Sequence, residues 1–430
     1  MKSPYKKLPI QINKMKNSNI SLLEYEYSKI SFDEKDLREF RILNKLYFPN
    51  SDGERGIFNL ISKNRIQATS YVGFVKTKNY SIQILPKIFG ENKSEIIRNL
   101  IFLLSYTKKI KIKETDINSL KSKNNIFEIF IYLFGKNLLE ILKRDLFQNY
   151  KKEEDNKSYL KGKLLFNEHI KKNSFNKTKF YTEYDEFLED NFLNRVFKAT
   201  VSKLLKITSV SSNFKLLTEC NLILNNVTLS KINYRETQNF RFNRLNKNFE
   251  DIYSLAISLL FGNSYQMISE NMNSYSFVFD MNKLFEEFIF EFLKNNFSNE
   301  LKIRSENPQE RVFIKQPFFN LKPDITIFER ENCKVIIDTK YKHVNSNPKD
   351  KFGVSRNDVY QMFVYSQFYN CKDIVLLYPK NFSSNVNVCM DSNKELNFRL
   401  HIKTVNLHKD LFDKNIREEL REELRGLLKL

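Results

Sequence analysis

The sequence predicts an α/β protein of the α+β kind, and three observations carry that reading. Stretches with β-type alternation, Ile66–Ile88 and Ile325–Ile337, stand apart from stretches with apolar residues at helical spacing, such as Ile126–Leu146, Met281–Asn295 and Ser355–Tyr369. The chain is 430 residues long, enough for two or three domains whose cores need no staples. Its clearest interruption is Lys151-Lys152-Glu153-Glu154-Asp155-Asn156-Lys157, a charged run with no apolar anchor. That run divides the chain into an amino-terminal β-containing domain over 1–150, a helical middle segment over 158–263 and a carboxy-terminal domain over 264–430.

Taken in order, Leu22–Ser31 and Ile57–Leu60 are short and mixed, and the first clear pattern is a hairpin. Thr69–Val75 and Tyr80–Ile88 alternate around a Lys76–Asn79 turn, and Pro86 ends the second strand. Helices follow at Ser94–Tyr106 and Ile126–Leu146, the second with Ile126, Phe127, Phe130, Phe134, Leu138 and Ile141 on one stripe. Beyond the middle segment, Met281–Asn295 buries Leu284, Phe285, Phe288, Ile289 and Phe292 and leaves Glu286 off that stripe. Ile325–Phe328 and Lys334–Thr339 form a second hairpin across the polar Glu329-Arg330-Glu331-Asn332. Ser355–Tyr369 is a helix, and Ile416–Leu430 is an amphipathic one by its Ile416, Leu420, Leu424 and Leu427, with arginines relieving the crowded glutamates.

A net charge of +20 favours a polyanionic partner, although the Lys, Asn, Ile and Phe bias of an AT-rich genome accounts for part of it. Cys220, Cys333, Cys371 and Cys389 have no C-x-x-C spacing, which argues against a zinc ribbon and for free thiols in a reducing compartment. His169, His343, His401 and His408 show no ligand or triad spacing, with His343 the one near the candidate site. Met1–Asn19 has no apolar signal region and no run of eighteen apolar residues occurs, so the expectation is a cytoplasmic protein with no membrane partner. There is no G-x-x-x-x-G-K-[ST] loop, so any dependence on a nucleoside triphosphate belongs to a partner.

Chemistry concentrates in the second hairpin. Asp324 and Asp338 are 14 positions apart, an even number that lets a hairpin set them opposite each other. Asp338 and Lys340 are i and i+2 and leave one face of their strand. Two carboxylates and a lysine on one face suit a hard divalent cation and phosphodiester hydrolysis; a surface hairpin with a cross-strand ion pair is the plainer alternative. On the following helix Gln361 and Tyr365 are i and i+4, so they share a face.

Pro323-Asp324, Asp338-x-Lys340 and Gln361-x-x-x-Tyr365, in that order, resemble the PD-(D/E)xK nuclease core in its Q-x-x-x-Y form. Gly73 with Ile84-x-Pro86-Lys87-Ile88, then Lys161-Gly162-Lys163-Leu164, Asp190-Asn191-x-x-Asn194 and Met281-Asn282-x-Leu284-Phe285-Glu286, resemble the McrC family, the nuclease subunits of McrBC-type modification-dependent restriction systems. The matches run from about residue 55 onward; Met1–Asn50 matches nothing.

The resemblance implies a carboxy-terminal nuclease domain with a central mixed sheet flanked by helices. It implies that Asp324 and Asp338 bind Mg²⁺ or Mn²⁺, that Lys340 is catalytic, and that Gln361 and Tyr365 border the site and the DNA strand. Glu286 matches the acid of the preceding helix, where a place in the metal shell competes with a solvated face. It further implies docking of the amino-terminal region, with the Thr69–Ile88 hairpin as candidate contact, on an McrB-like AAA+ GTPase ring that supplies the GTP dependence. Two other classes stay open: a regulatory subunit with a vestigial nuclease core that activates the GTPase, and a stand-alone repair or processing nuclease.

Overall fold

The computed structural model describes residues 18–61, 64–87, 92–107, 109–110, 112, 125–261, 275–305, 310–313, 316–342, 344–380, 385–393 and 395–428. The chain divides into two compact units. The larger takes the described residues of Met1–Lys109, Ile117–Ile126 and Gln266–Leu430; the smaller takes those of Ile110–Asp116 and Phe127–Tyr265. This corrects the expected split at residue 150. The amino-terminal strands and the carboxy-terminal domain share one unit, and the helix Ile126–Arg144, past its first residue, goes with the middle of the chain.

In the larger unit a four-stranded sheet runs in the order Ser18–Leu23, Tyr80–Leu85, Tyr71–Lys76, Tyr275–Asp280, with the first pair parallel and the others antiparallel. The hairpin forms as expected, but in the middle of this sheet. Its alternate residues Val75, Ile82 and Ile84 are buried with Phe32, Leu37, Phe40 and Phe58, and the helix Glu34–Tyr47, started by an Asp33/Asp36 capping box, covers that face. Gly73 sits at φ +138°, and a Cβ there would lie 2.1 Å from the Phe277 carbonyl oxygen, so only glycine lets the two strands approach.

The second sheet of this unit has six strands in the order Lys302–Ser305, Ile325–Glu329, Asn332–Thr339, Asp373–Pro379, Arg399–Val405, Asn387–Asp391. Asn332–Thr339, Asp373–Pro379 and Arg399–Val405 are mutually parallel and the remaining pairs antiparallel, which is the expected mixed sheet. All of Asp373–Pro379 is buried, the mark of a central strand covered on both faces. Helix Arg356–Phe368 places Met362 and Tyr365 over Ile336, Ile374, Leu376 and Ile402. Helix Met281–Phe297 buries the five residues expected of it, and Phe102 and Tyr106 of helix Lys93–Tyr106 pack on its Phe288 and Phe292. Helix Lys414–Leu428 buries Leu420, Leu424 and Leu427, and Arg421 and Arg425 pair with Glu418 and Glu422.

The smaller unit holds helices Phe192–Leu205, Ser211–Ile223 and Glu250–Phe261 and a three-stranded antiparallel sheet. The charged run expected to be a linker is a strand. Asn149–Lys157 pairs residue for residue with Phe180–Leu188. Every residue of this strand is exposed or half-buried, so it needs no apolar alternation and its composition reads like a linker, while cross-strand pairs such as Lys152–Glu183 at 3.6 Å replace the missing anchor. Gly162 turns the chain at φ +75°, where a Cβ would meet the Glu183 carbonyl at 2.3 Å. Asp190-Asn191-x-x-Asn194 is a helix start: Asn191 caps Phe192–Leu205, both asparagine amides donate to the Phe147 carbonyl, and Asp190 grips Arg195 through two 2.7 Å bonds. Among the described residues no helix is long and apolar enough to cross a membrane.

Candidate active site

The hairpin that carries the acids has its register set by one residue. At the turn Glu329 pairs with Asn332 and Phe328 with Cys333; the pairing then shifts, so that Ile327 meets Val335 and Ile325 meets Ile337. Lys334 is the extra residue, a β-bulge, and Arg330 turns the loop at φ 58°. One position further on, Asp324 comes opposite Asp338. Without the bulge it would come opposite Ile337, on the other face of the strand.

Asp324 is fixed by Thr339, whose N–H and hydroxyl donate to its Oδ2 at 2.7 and 2.8 Å. Asp338 is 1% exposed, and Lys340 Nζ lies 2.6 Å from its Oδ2, while Oδ1 has no hydrogen-bond partner. Burial, and then the charge of Asp324, push the Asp338 carboxyl up to about 7 against the pull of Lys340. Burial draws Lys340 down, but the charges and hydrogen bond of Asp338, with Asp324 behind, hold its pKa above the ordinary lysine value. A buried carboxylate with an open oxygen beside a second, oriented carboxylate is a donor set that fits a hard divalent cation.

Gln361 and Tyr365 do meet, and what they do is specific. Gln361 Nε2 donates to the Tyr365 hydroxyl at 2.8 Å, which donates to the Lys322 carbonyl at 2.9 Å. That carbonyl belongs to the residue before Pro323-Asp324, so the pair holds the strand entrance on which Asp324 sits. Burial pushes the Tyr365 hydroxyl up to about 12, which keeps it a donor. Tyr365→Phe breaks both bonds and is expected to cost about 1–2 kcal/mol of stability. For the nuclease reaction that the motifs imply, the same substitution is expected to lower DNA cutting about 10- to 100-fold by displacing Asp324. A cutting rate equal to wild type in a plasmid assay would refute that role.

Glu286 lies half-buried on Met281–Phe297, and among the described residues no three His, Cys, Asp or Glu side chains form a group able to hold a metal. The helix turns Leu284, Phe285 and Phe288 inward, and the Phe285 ring lies 5.9 Å from that of Tyr341, just past the end of strand Asn332–Thr339. Three residues not singled out in the sequence belong to the cluster. Lys342 Nζ pairs with Asp358 Oδ2 at 2.5 Å, Asp358 acts electrostatically on both Asp338 and Lys340, and the fully buried Tyr378 hydroxyl has no partner. The parity of Asp338, Lys340 and Lys342 and the Ser355-x-x-Asp358 capping box were the available signals. His343 lies outside the described residues, and His401 is spent on Asp373 at 2.9 Å.

The family described as the McrBC 5-methylcytosine restriction system component matches residues 66–379. The type IV methyl-directed restriction enzyme EcoKMcrBC of Escherichia coli (strain K12) is 24% identical over 284 residues, covering 63% of this chain and 80% of the relative. A refined half-complex from a tetradecameric assembly of Thermococcus gammatolerans McrB AAA+ hexamers with bound McrC contains a chain that aligns with a TM-score of 0.77 and 27% identity, over 95% of this chain and all of that one. A chain of the Thermococcus gammatolerans McrBC complex determined by cryo-EM aligns with a TM-score of 0.55 and 32% identity, over 67% of this chain and 90% of that one. These likenesses agree with the McrC-type motifs, and with a match spanning most of its length the chain belongs to the McrBC 5-methylcytosine restriction system component family.

Proposed function

We propose that the chain is the DNA endonuclease subunit of a GTP-dependent, modification-dependent restriction system. One observation carries this: Asp324, Asp338 and Lys340 converge on one face, with a buried Asp338 oxygen left open. Asp324 and Asp338 would hold Mg²⁺ or Mn²⁺, which when bound supplies charge neutralisation at the phosphate and a more acidic water. Lys340, kept protonated by its acidic neighbours, donates hydrogen bonds and orients water or a phosphate oxygen rather than serving as a base. Tyr365 and Gln361 hold the Asp324 loop, and the exposed Gln361 borders the path of the strand.

The partner follows from the Thermococcus gammatolerans assembly, in which McrB AAA+ hexamers hold McrC, and from the missing phosphate loop. The Thr69–Ile88 hairpin does not suit that contact, because Tyr71–Lys76 and Tyr80–Leu85 are interior strands of a sheet; Ile88 lies outside the described residues. The ribbon Asn149–Leu188 suits it better. Tyr150, Tyr159, Leu160, Phe166, Ile170 and Phe187 are all more than half exposed there, and Phe175 is fully so. Lysines lie among them, with Lys172 Nζ 3.8 Å from the centre of the Tyr181 ring. So much apolar surface on one exposed ribbon is a protein-contact surface.

One assay separates the readings. The unaltered chain with its ring, Mg²⁺ and GTP is expected to cut duplex DNA, with weak or no cutting when the ring is left out. GTPase stimulation without cutting would mark a regulatory subunit; full cutting by the chain alone would mark a stand-alone nuclease. Replacing Phe166 and Phe175 with Ser is expected to weaken ring binding and GTPase stimulation at least about tenfold, the loss typical of hot-spot aromatics. Unchanged stimulation by that variant would refute the ribbon contact.

A further inference from the structure

The amino-terminal sheet reaches the catalytic strand through one buried side-chain pair. Tyr341 directly follows Lys340 and is 5% exposed. Its hydroxyl donates to Glu24 Oε2 at 2.8 Å, and the Lys87 N–H donates to that same oxygen at 3.0 Å. Glu24 in turn donates its N–H to the Leu85 carbonyl at 2.9 Å. Three chain segments therefore meet on one carboxylate: the end of Ser18–Leu23, the Pro86-Lys87 step of the motif that follows Tyr80–Leu85, and the end of the strand that carries Asp338.

This pair is a costly way to fill space. Glu24 is 1% exposed, and its Oε1 has no partner. Burial, only partly offset by the bonds from Tyr341 and Lys87, pushes its carboxyl up to about 8. An apolar side chain of similar volume would pack there at lower cost. What it would lack is an acceptor for the Tyr341 hydroxyl and the Lys87 N–H together.

The position explains the need. Strand Asn332–Thr339 ends just before Lys340, whose N–H still bonds the Leu377 carbonyl at 2.9 Å, and the chain then turns, with Lys342 N–H on the Lys340 carbonyl. Lys340 is thus the last residue tied to the sheet, and the next tie along the chain is the Tyr341 hydroxyl. We propose that Glu24 and Tyr341 are positioning residues for the nuclease reaction, fixing the main chain at Lys340 so that its ammonium stays on Asp338 and over the reacting phosphate. The proposal rests on the endonuclease reading. Ångström-scale freedom at a group that orients reactants typically costs about 100-fold in rate. The Ile84-x-Pro86-Lys87 motif then has a part in the same device, since it presents the second donor that orients Glu24.

The test uses the full chain with its ring, duplex DNA, Mg²⁺ and GTP. Tyr341→Phe keeps the ring and loses only the hydroxyl; kcat for cutting is expected to fall about 10- to 100-fold. KM for DNA and GTP hydrolysis by the ring are expected to stay at wild-type values, and stability to fall only by what one lost buried hydrogen bond costs. Glu24→Gln offers a carbonyl oxygen to both donors without the charge and should restore near-normal cutting, whereas Glu24→Leu should reproduce the Tyr341→Phe loss. Normal cutting by Tyr341→Phe overturns the proposal alone. So does a loss of kcat that tracks a loss of melting temperature across the three variants, which would mark a packing role only. No cutting by the unaltered chain overturns the endonuclease reading and this proposal with it.

Discussion

Asp338→Asn is expected to abolish DNA cutting and, in the same protein, to raise the stability of the metal-free fold. The rate should fall at least about a thousandfold, the order lost when a group that organises transition-state charge is removed. The stability gain comes from the burial that makes the site. In the folded chain the Asp338 carboxyl is pushed from 3.8 to about 7. Between those values the folded protein holds a proton that the unfolded chain has released, so stability falls as pH rises through the window and is level above it. The full penalty, at about 1.4 kcal/mol per pH unit, is on the order of 4 kcal/mol above pH 7. Asparagine has nothing to titrate, so its advantage should be present at pH 8 and small at pH 4. Melting curves in EDTA at the two values check this. Added Mg²⁺ should raise the melting temperature of the wild type and leave that of Asp338→Asn unmoved. Retained cutting by the variant, with ring, Mg²⁺ and GTP present, would sink the assignment of Asp338.

Lys340→Ala should lose cutting to a similar degree with the opposite effect on stability. Asp338 then keeps its burial and the repulsion of Asp324 but loses the ammonium 2.6 Å from Oδ2. Its carboxyl moves further up, and the sign follows. Below about pH 6 Asp338 is protonated in the folded wild type already, so removing the lysine changes little. Above pH 7 the variant must hold a proton the wild type has released, and it loses about 1.4 kcal/mol for each further pH unit until its own carboxyl titrates. Adding Asp338→Asn to Lys340→Ala removes the buried acid and should abolish this pH dependence, a coupling readable as a double-mutant cycle. A Lys340→Ala protein whose melting curve shifts equally at pH 5 and pH 9 would show that Lys340 does not compensate Asp338.

Much of this was legible in residue order, for reasons that differ from one element to the next. The two aspartates could be paired from their even spacing, yet that spacing works only because Lys334 bulges, and nothing in its side chain announces a bulge. Helix Met281–Phe297 was readable from its stripe, all five of whose expected apolar residues are buried. The Asn149–Lys157 strand escaped notice because hydropathy reports burial, and none of its own residues is buried. Lys342 and Asp358 were hidden differently. Each has an adequate local reason to be where it is, as a surface lysine and as a helix-start acid, and only the fold sets them beside Asp338.

Strand Tyr71–Lys76 pairs on one side with its hairpin neighbour and on the other with Tyr275–Asp280, some two hundred residues later in the chain. As the polypeptide leaves the ribosome, the smaller unit can fold from local contacts while that edge of the first sheet is still unpaired. The edge is apolar and, at Gly73, shaped to accept a close neighbour. Until the closing strand emerges, it is exposed to any other nascent chain with a free edge of its own. Synthesis that stops before residue 280 should therefore yield aggregates rather than a soluble amino-terminal fragment.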